Sequence, residues 1–443
     1  MDKQTHLYKS GLALLLVPFF FACDDPSNLG LQVDERENEF QTEKVEFTLP
    51  VSTIGIDSLR TEHFSASLVG KYSDPITGTV EAISYNSYGI NGGQLPDQGD
   101  SLQFSRAFIR MKIFDSRLNQ PLTGESLSIH LAEDTLYSRA VYLADRAIPY
   151  DPEPIATFTY DFNPEIDTVL EIPLSDDFGR FLFTRLDRVT NPGGDYADSL
   201  TRSLYYYDPL VFVPGADNQG ILGFDLASDT SAIYVEMVNS QGTESYYTFD
   251  FREAHYNQLN RDRSTGQLND LSTEYTPSAN TGDYSYVDMI AGVYTKVALQ
   301  PLLDFVELNP EVIVNNSVIE LNAITPGSSY IDNLERLQYY FLLDNGRING
   351  PGGQTAASGQ YAMLTEGSYL SSGTDVLNAV VDNQLRYRSN ITLFSQVLFN
   401  NFSNEEDYLT EELVLLSPRT LSLDQTTLVN SEVKLTLYYT SIK

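Results

Sequence analysis

The sequence predicts a mainly β protein that consists of two tandem antiparallel β-sandwich domains, jelly-roll-like in plan, with a few short helices. Three observations lead to this fold class. Short segments alternate apolar and polar residues along most of the chain, the aromatic residues are 29 Tyr and 23 Phe without Trp, and helical patterns are few. Alternation with period two is typical of strands that bury one face, and therefore of antiparallel sheets. Tyr and Phe are residues that sheets favour.

The alternating segments occur in both halves of the chain. Clear examples, in which every second side chain is apolar, are residues 45–49, 108–114 and 433–439. Residues 231–237 and 246–251 predict a hairpin, because a Ser-Gln-Gly turn lies between them. Residues 74–78 read Asp-Pro-Ile-Thr-Gly and predict a turn, in which Asp begins the bend, Pro fixes φ and Gly takes an unusual φ.

Two short helices are predicted at corresponding places in the two halves. Asp176 or Asp177 can cap the first helix, and Asn390 can cap the second. Their apolar stripes consist, respectively, of Phe178, Phe181, Leu182 and Leu186, and of Ile391, Phe394 and Leu398. Each helix is followed by an apolar strand and then by an alternating one. This parallel predicts one structural plan that is used twice.

The chain is predicted to have four parts. Residues 1–22 are a signal peptide, 23–44 an acidic tether, 45–260 an N-terminal β-sandwich domain and 261–443 a C-terminal one. The polar stretch at residues 261–275 marks the junction. After removal of the leader the chain is still too long for one ordinary hydrophobic core, which favours two domains.

The leader has the order of a lipoprotein signal. Lys3 and Lys9 form a basic region, the apolar run covers residues 11–21, and Ala22 precedes Cys23, the only cysteine. A helix that rises about 1.5 Å per residue over so short a run cannot cross a core of roughly 30 Å, so a cleaved signal is favoured over a membrane span. We expect Cys23 to be the lipid anchor and the membrane to be a partner through that lipid. A buried thiol, or a cysteine that pairs between chains, is the alternative.

Charge and motifs exclude several classes of protein. The formal net charge is −34, so nucleic acid is not expected as a partner. The four histidines form no zinc pattern, and nucleophile elbows, Walker loops and dinucleotide fingerprints are missing. The sequence therefore predicts no metal, no cofactor and no catalytic residue, and it assigns no ligand-binding residue.

A set of motifs spread over nearly the whole chain resembles one bacterial family. These motifs are Ala22-Cys23-Asp24-Asp25, Asp57-Ser58, Leu68-Val69-Gly70, Asp74-Pro75-Ile76-Thr77-Gly78, Ile221-Leu222-Gly223-Phe224-Asp225-Leu226, Asn316-Ser317-Val318-Ile319-Glu320-Leu321, Ser389-Asn390-Ile391-Thr392 and Leu435-Thr436-Leu437-Tyr438-Tyr439-Thr440. In this order they resemble the lipoprotein family of Bacteroidota called domain of unknown function 4270. That family has no established activity, so the resemblance implies location and architecture only.

The same resemblance gives a meaning to the residues after the anchor. In Bacteroidota, acidic residues directly after the acylated cysteine are typical of lipoproteins exported to the cell surface, and Asp24 and Asp25 match this sorting signal. The resemblance thus implies an outer membrane lipoprotein that faces outward. Retention on the periplasmic side is the alternative.

The sequence favours a binding or assembly module of the cell envelope, with a glycan or an envelope protein as a possible partner. A hydrolase that acts on a polysaccharide or peptide with paired carboxylates is one alternative, because such pairs meet only in three dimensions. A structural envelope component is the other. Tyr-rich stretches such as residues 204–208 and 245–247 fit either sugar stacking or ordinary sheet packing.

Overall fold

The chain folds into two large antiparallel sheets with few short helices, which confirms the predicted fold class. A computed structural model describes residues 40–56, 60–62, 66–90, 102–190, 208–271, 278–324, 330–342, 348–349, 377–381, 385–403, 412–417 and 422–442. The predicted leader, Cys23, Asp24 and Asp25 lie outside the described residues.

Within the described residues, short and long strands are accompanied by three α-helices. In chain order the strands are β1 (Phe40–Thr48), β2 (Val51–Gly55), β3 (Ala66–Asp74), β4 (Gly78–Ile90), β5 (Gln103–Arg117), β6 (Leu122–Leu131), β7 (Ala156–Phe162), β8 (Val169–Pro173), β9 (Leu210–Pro214), β10 (Ile221–Asp225), β11 (Ala232–Val238), β12 (Glu244–Asp262), β13 (Ser278–Ala279), β14 (Tyr284–Asp288), β15 (Val293–Ala298), β16 (Ile313–Ile324), β17 (Arg336–Leu342), β18 (Ile348–Asn349), β19 (Leu377–Val381), β20 (Leu385–Asn390), β21 (Glu412–Leu416) and β22 (Gln425–Ile442). The helices are α1 (Asp176–Thr190), α2 (Gln300–Leu308) and α3 (Thr392–Ser403).

In each sheet the paired strands form a closed circuit. The first sheet runs β12–β11–β5–β10–β3–β4 and returns to β12, with β9, β6 and β7 continuing from β4 and β8 beside β5. The second runs β22–β16–β20–β19–β17–β21–β15–β14 and returns to β22. Each sheet has its own apolar core.

Both sheets follow one pattern of pairing. A hairpin, β3–β4 or β14–β15, lies beside a late strand, β10 or β22, which also pairs with a long strand, β5 or β16. The strand after each predicted helix bridges two others: β9 joins β4 to β6, and β21 joins β15 to β17. The prediction of one plan used twice agrees with this pairing.

The second sheet takes two strands from the beginning of the chain. β12 pairs with β11 and β4 in the first sheet, and in the second sheet β1 and β2 take the corresponding place beside β22 and β15. The beginning of the chain thus completes the sheet of the C-terminal half, whereas β12 completes the sheet of the half in which it lies. Residues 40–55 belong to the second sheet, whereas the sequence assigned 23–44 to the tether and 45–260 to the N-terminal domain. Alternation shows which face of a strand is buried but not which strand it joins.

Each hairpin turns through the same short motif, Tyr-x-Asp-x-Ile-x-Gly, at residues 72–78 and 286–292. Asp74 accepts hydrogen bonds from the backbone N–H groups two and three residues later, at 2.7 and 2.9 Å. Asp288 accepts one from the N–H three residues later, at 3.2 Å. The closing glycines have φ of 89° and 65°, a region that favours glycine. The predicted turn at 74–78 is confirmed, whereas its second copy at 286–292 was not predicted.

The two sheets meet in a shared core with a buried ion pair. This core draws apolar side chains from both halves, including Leu68, Val80, Leu259, Ile290, Val293 and Leu423. Beside it, the Arg117 guanidinium donates to both carboxylate oxygens of Asp288, at 2.9 and 2.7 Å, and both side chains are only 1% exposed. Arg117 also donates to Gln425 at 2.7 Å and lies over the Tyr72 ring at 4.8 Å. The contact is therefore both apolar and directional.

Local predictions hold where the determinants are close in sequence. The hairpin of β11 and β12 forms as expected. The amide oxygen of Asn390 accepts a hydrogen bond from Thr392 N at 2.9 Å, which confirms that cap. The other helix cap was predicted wrongly: the Ser175 hydroxyl accepts from Phe178 N at 3.4 Å, and Asp176 and Asp177 lie in the first turn of α1. There their charges favour the helix dipole.

Candidate binding cleft

A concave surface lies on one face of the first sheet. Strands β4 and β12 are paired so that Glu81 lies opposite Asn260, Ile83 opposite Gln258 and Tyr85 opposite Tyr256. Successive side chains on a strand point to opposite faces, so side chains two residues apart share one face. The pairing therefore places two side-chain amides, one carboxylate and two tyrosine hydroxyls on one face of the sheet.

A loop segment, Ala144 to Ile148, crosses this face and is held there by hydrogen bonds. The N–H of Leu259 donates to the carbonyl of Ala144 at 2.7 Å. The Tyr256 hydroxyl donates to the carbonyl of Arg146 at 3.3 Å, and the carbonyl of Ile148 lies 3.0 Å from the Tyr85 hydroxyl, whose single proton it shares with a second acceptor. Three alternate carbonyls are thus fixed to the sheet, so the segment forms a defined wall.

Stacked tyrosines support the wall from below. The Tyr256 ring lies between the Tyr85 and Tyr142 rings, with centroid distances of 4.6 and 4.7 Å and nearly parallel planes. Burial raises the pKa of Tyr85 and, more strongly, that of Tyr256. Both phenols therefore stay protonated at neutral pH and act as hydrogen-bond donors.

Between wall and sheet is an open cleft of about 570 Å³. This volume is within the range of about 300–1,000 Å³ that is usual for ligand sites. Its lining consists of Glu81, Ile83, Tyr85, Ala147, Ile148, Pro149, Tyr150, Val213, Gln258 and Asn260. We call this the β4–β12 cleft.

A row of hydrogen bonds runs along the floor of the β4–β12 cleft. Tyr85 donates to Gln258 Oε1 at 3.0 Å, Gln258 Nε2 donates to Asn260 Oδ1 at 2.8 Å, and Asn260 Nδ2 donates to Glu81 Oε2 at 2.9 Å. A carboxylate can only accept, so Glu81 fixes the orientation of the Asn260 amide, and this in turn fixes that of Gln258. The direction of every bond in the row follows from one charged end.

A second cleft, of about 400 Å³, lies beside Glu125. Glu125 is 4% exposed, and both of its carboxylate oxygens accept from the N–H of Gln219, at 3.1 and 3.0 Å. Burial raises the pKa of Glu125. The Asn218 amide is bonded on both sides to the backbone of Ser126. The Glu125 carboxylate and the Asn218 amide are thus hydrogen-bonded within the protein, which indicates a structural role.

Aromatic and arginine side chains form a third surface, on β5 and β11. Phe108 and Tyr234 stack at 5.1 Å, and Tyr246 from the predicted Tyr-rich stretch is 65% exposed beside them. Arg106 is paired with Glu236 at 2.7 and 3.1 Å. The arginine charge is thus neutralised within the sheet.

The histidines and carboxylates do not assemble into a metal centre in the part of the chain that the structure describes. His130 is buried, and its ring nitrogens lie 2.7 Å from the Asp151 carbonyl and 2.9 Å from the Ser128 hydroxyl. No group of three or more His, Cys, Asp or Glu side chains there could hold a metal ion. Each of the two clefts is lined by one carboxylate, Glu81 or Glu125. Among the described helices, none has the length and apolar character needed to cross a bilayer.

None of the residues that line the β4–β12 cleft was predicted as a site residue from the sequence. Its signal was present as two alternating triplets, Glu81-x-Ile83-x-Tyr85 and Tyr256-x-Gln258-x-Asn260. Each triplet places polar and aromatic groups on one face, but only the strand pairing shows that the faces coincide. Comparison with known proteins finds no matching family model, no matching curated protein and no matching solved structure.

Proposed function

We propose that this protein is a cell-envelope lipoprotein, attached to the outer membrane through Cys23 and facing outward, that binds a ligand in the β4–β12 cleft. The row of hydrogen bonds from Tyr85 to Glu81 carries the binding part of the proposal. It fixes several polar groups at the floor of an open cleft, which is the arrangement that orients a ligand in a preformed site.

The position of the first strand supports a tethered display. β1 begins at Phe40, so residues 24–39 would separate the lipid from the folded body. A flexible segment of this length spans about 20–25 Å, from roughly 5–6 Å times the square root of its residue number. Two or more acyl chains on Cys23 would anchor the protein stably, at about 0.8 kcal/mol per buried methylene. Asp24 and Asp25 would direct it to the outer face.

Binding is favoured over hydrolysis by the carboxylates of the clefts. Glycoside hydrolysis generally needs two carboxyl groups about 5–9 Å apart, one on each side of the scissile bond. The β4–β12 cleft is lined by Glu81 alone among carboxylates, and one oxygen of Glu81 is already bonded to Asn260. The hydrolase and the purely structural envelope component stay alternatives without a supporting observation.

The anchor and its location can be tested in cells. Metabolic labelling with an alkyne fatty acid should label the native protein and not Cys23→Ala, which should also leave the membrane fraction. Ser27→Ala, close to the anchor but outside the signal, serves as the matched control and should behave as the native protein.

Display at the surface is tested by adding protease to intact cells. The native protein should be removed, and the Asp24→Ala/Asp25→Ala variant should be protected. Protection of the native protein in intact cells, with digestion after lysis, would contradict surface display and favour the periplasmic alternative.

A further inference from the structure

We propose that the ligand of the β4–β12 cleft is a neutral oligosaccharide. This inference rests on the proposed function, since it assumes that the cleft is a ligand site, and it adds the chemical class of the ligand. Three properties of the cleft lead to it: its unused hydrogen-bonding groups, its apolar surfaces and its charge.

The unused groups match the hydroxyls of a sugar. Each amide nitrogen of Gln258 and Asn260 carries two N–H bonds, of which the row of hydrogen bonds uses one. Oxygen Oε2 of Glu81 accepts the hydrogen bond from Asn260, and Oε1 accepts none of the hydrogen bonds found among the described residues. Two donors and one charged acceptor thus remain along two neighbouring strands. Adjacent sugar hydroxyls, each both donor and acceptor, can satisfy all three.

Apolar surfaces lie beside these groups. Ile83 and Val213 form part of the floor, and Pro149 and Tyr150 form the rim of the wall. The Tyr150 ring is half-buried and packs against the His130 ring at 4.9 Å, so its orientation is held by a neighbour. Sugars present C–H groups on the faces of their rings while their hydroxyls point outward. Such a ligand can place a ring against Tyr150 and its hydroxyls against Glu81 and Asn260.

Charge selects against acidic ligands. Glu81 is the only charged side chain among the residues that line the cleft, and the whole chain has a formal net charge of −34. A uronic acid, sulfated sugar or phosphate would approach a negative surface and find no lining cation to pair with. A ligand without charge incurs no such penalty.

A peptide is disfavoured by the geometry of the floor. Peptides that add to a sheet bind an open strand edge through backbone hydrogen bonds. The floor here is the face of β4, β9 and β12, and β4 is paired with β12 on one edge and with β3 and β9 on the other. The ligand must therefore be held by side chains, which suits hydroxyls better than a peptide backbone.

The inference can be tested by calorimetric titration of the full-length protein in a detergent without a sugar headgroup. The probes are neutral hexasaccharides of glucose, mannose, xylose and N-acetylglucosamine, with hexagalacturonate as the acidic probe and hexalysine as the peptide probe. At least one neutral hexasaccharide should bind with a Kd below 1 mM. Hexagalacturonate should show no heat of binding.

Variants locate the binding. Asn260→Ala removes one free donor and its support of Glu81, and Tyr150→Ala removes the ring, so each should weaken binding at least tenfold. Tyr150→Phe keeps the ring and should stay within threefold of the native Kd. Gln120→Ala, an exposed amide in the second cleft, is the matched control and should leave the Kd unchanged. Unchanged far-ultraviolet circular dichroism and melting temperature show that a variant is folded.

The outcomes separate the ligand class from the proposed function. Binding of hexalysine or hexagalacturonate that Asn260→Ala abolishes would keep the cleft as a ligand site and overturn the neutral sugar. Sugar binding that neither Asn260→Ala nor Tyr150→Ala weakens would overturn the cleft as its site. The absence of heat for all four neutral hexasaccharides at 10 mM would also overturn the inference.

Discussion

The buried ion pair between Arg117 and Asp288 provides the sharpest test of how the two halves are joined. We expect Asp288→Asn to destabilise the protein by about 3–5 kcal/mol, because it leaves the Arg117 guanidinium buried without its counter-charge. The geometry supports the upper part of this range: two hydrogen bonds of 2.9 and 2.7 Å link side chains that are each 1% exposed. Gln425 and the Tyr72 ring remain but carry no charge, and the Asp74 carboxylate acts on Arg117 through space without a hydrogen bond to it among the described contacts.

Urea unfolding measures this loss. Tyrosine fluorescence is the natural probe, since the chain has 29 Tyr and no Trp, and circular dichroism gives a second one. With a slope of about 3 kcal/mol per molar urea, the midpoint should fall by at least about 1 M. The double variant Arg117→Met/Asp288→Asn removes both charges and should recover more than half of the loss, because a buried ion pair contributes little beyond an apolar pair.

An exposed ion pair is the control for this experiment. Arg106 is 57% exposed where it meets Glu236, so Arg106→Ala should cost no more than about 1 kcal/mol. If Asp288→Asn shifts the midpoint no further than Arg106→Ala does, the ion pair does not hold the halves together and the reasoning is refuted.

Three further outcomes follow from the structure. Gly78→Ala should lower the free energy of unfolding by about 1–3 kcal/mol, measured by thermal unfolding, and by more than Gly242→Ala does. Both glycines have positive φ, but of the two only Gly78 has neighbouring backbone with which a Cβ would collide, so equal losses would contradict this reasoning. Burial and, next, the Asp115 carboxylate raise the pKa of Asp424 from an ordinary 3.8 to about 6. The stability that its protonated form contributes is present below pH 3.8 and lost as the pH rises through 6. The free energy of unfolding of Asp424→Asn should therefore be higher than that of the native protein by about 1–3 kcal/mol at pH 8 and equal to it at pH 3.5. Protease that cleaves within residues 261–275 should leave two fragments that co-elute in native gel filtration and separate only in urea, because β1 and β2 of the first fragment belong to the sheet of the second; separate elution in buffer would contradict this pairing.

What the sequence could and could not predict follows from the range of each interaction. The alternation of residues 433–439 and the Asn390 cap depend on neighbours a few positions away, and both are as predicted. The partner of β1 depends on β22, almost four hundred residues further on, and alternation carries no information about it. Ser175, and not the predicted Asp176 or Asp177, caps α1. Serine and aspartate are nearly equivalent as caps, so the local sequence does not distinguish between these adjacent residues.

The cleft shows the same limit for function. Tyr85 and Gln258 meet only because β4 pairs with β12, in a register that no local pattern fixes. The repeated turn at residues 72–78 and 286–292 is different, since its two copies are legible in the sequence and would have revealed the duplication directly. The acylation of Cys23 and the sorting role of Asp24 and Asp25 stay predictions, because those residues lie outside the described ranges.

The central claim is that the β4–β12 cleft is the ligand site of this protein, and a crystal structure with sugar tests it most directly. Crystals of the native protein should be soaked with the neutral hexasaccharide that gives the lowest Kd in the titration. We predict ordered sugar density between Tyr150 and the sheet, with hydroxyls within hydrogen-bond distance of Glu81, Gln258 and Asn260. Ordered sugar at another surface, such as the exposed Tyr246, with the β4–β12 cleft empty, would contradict the account.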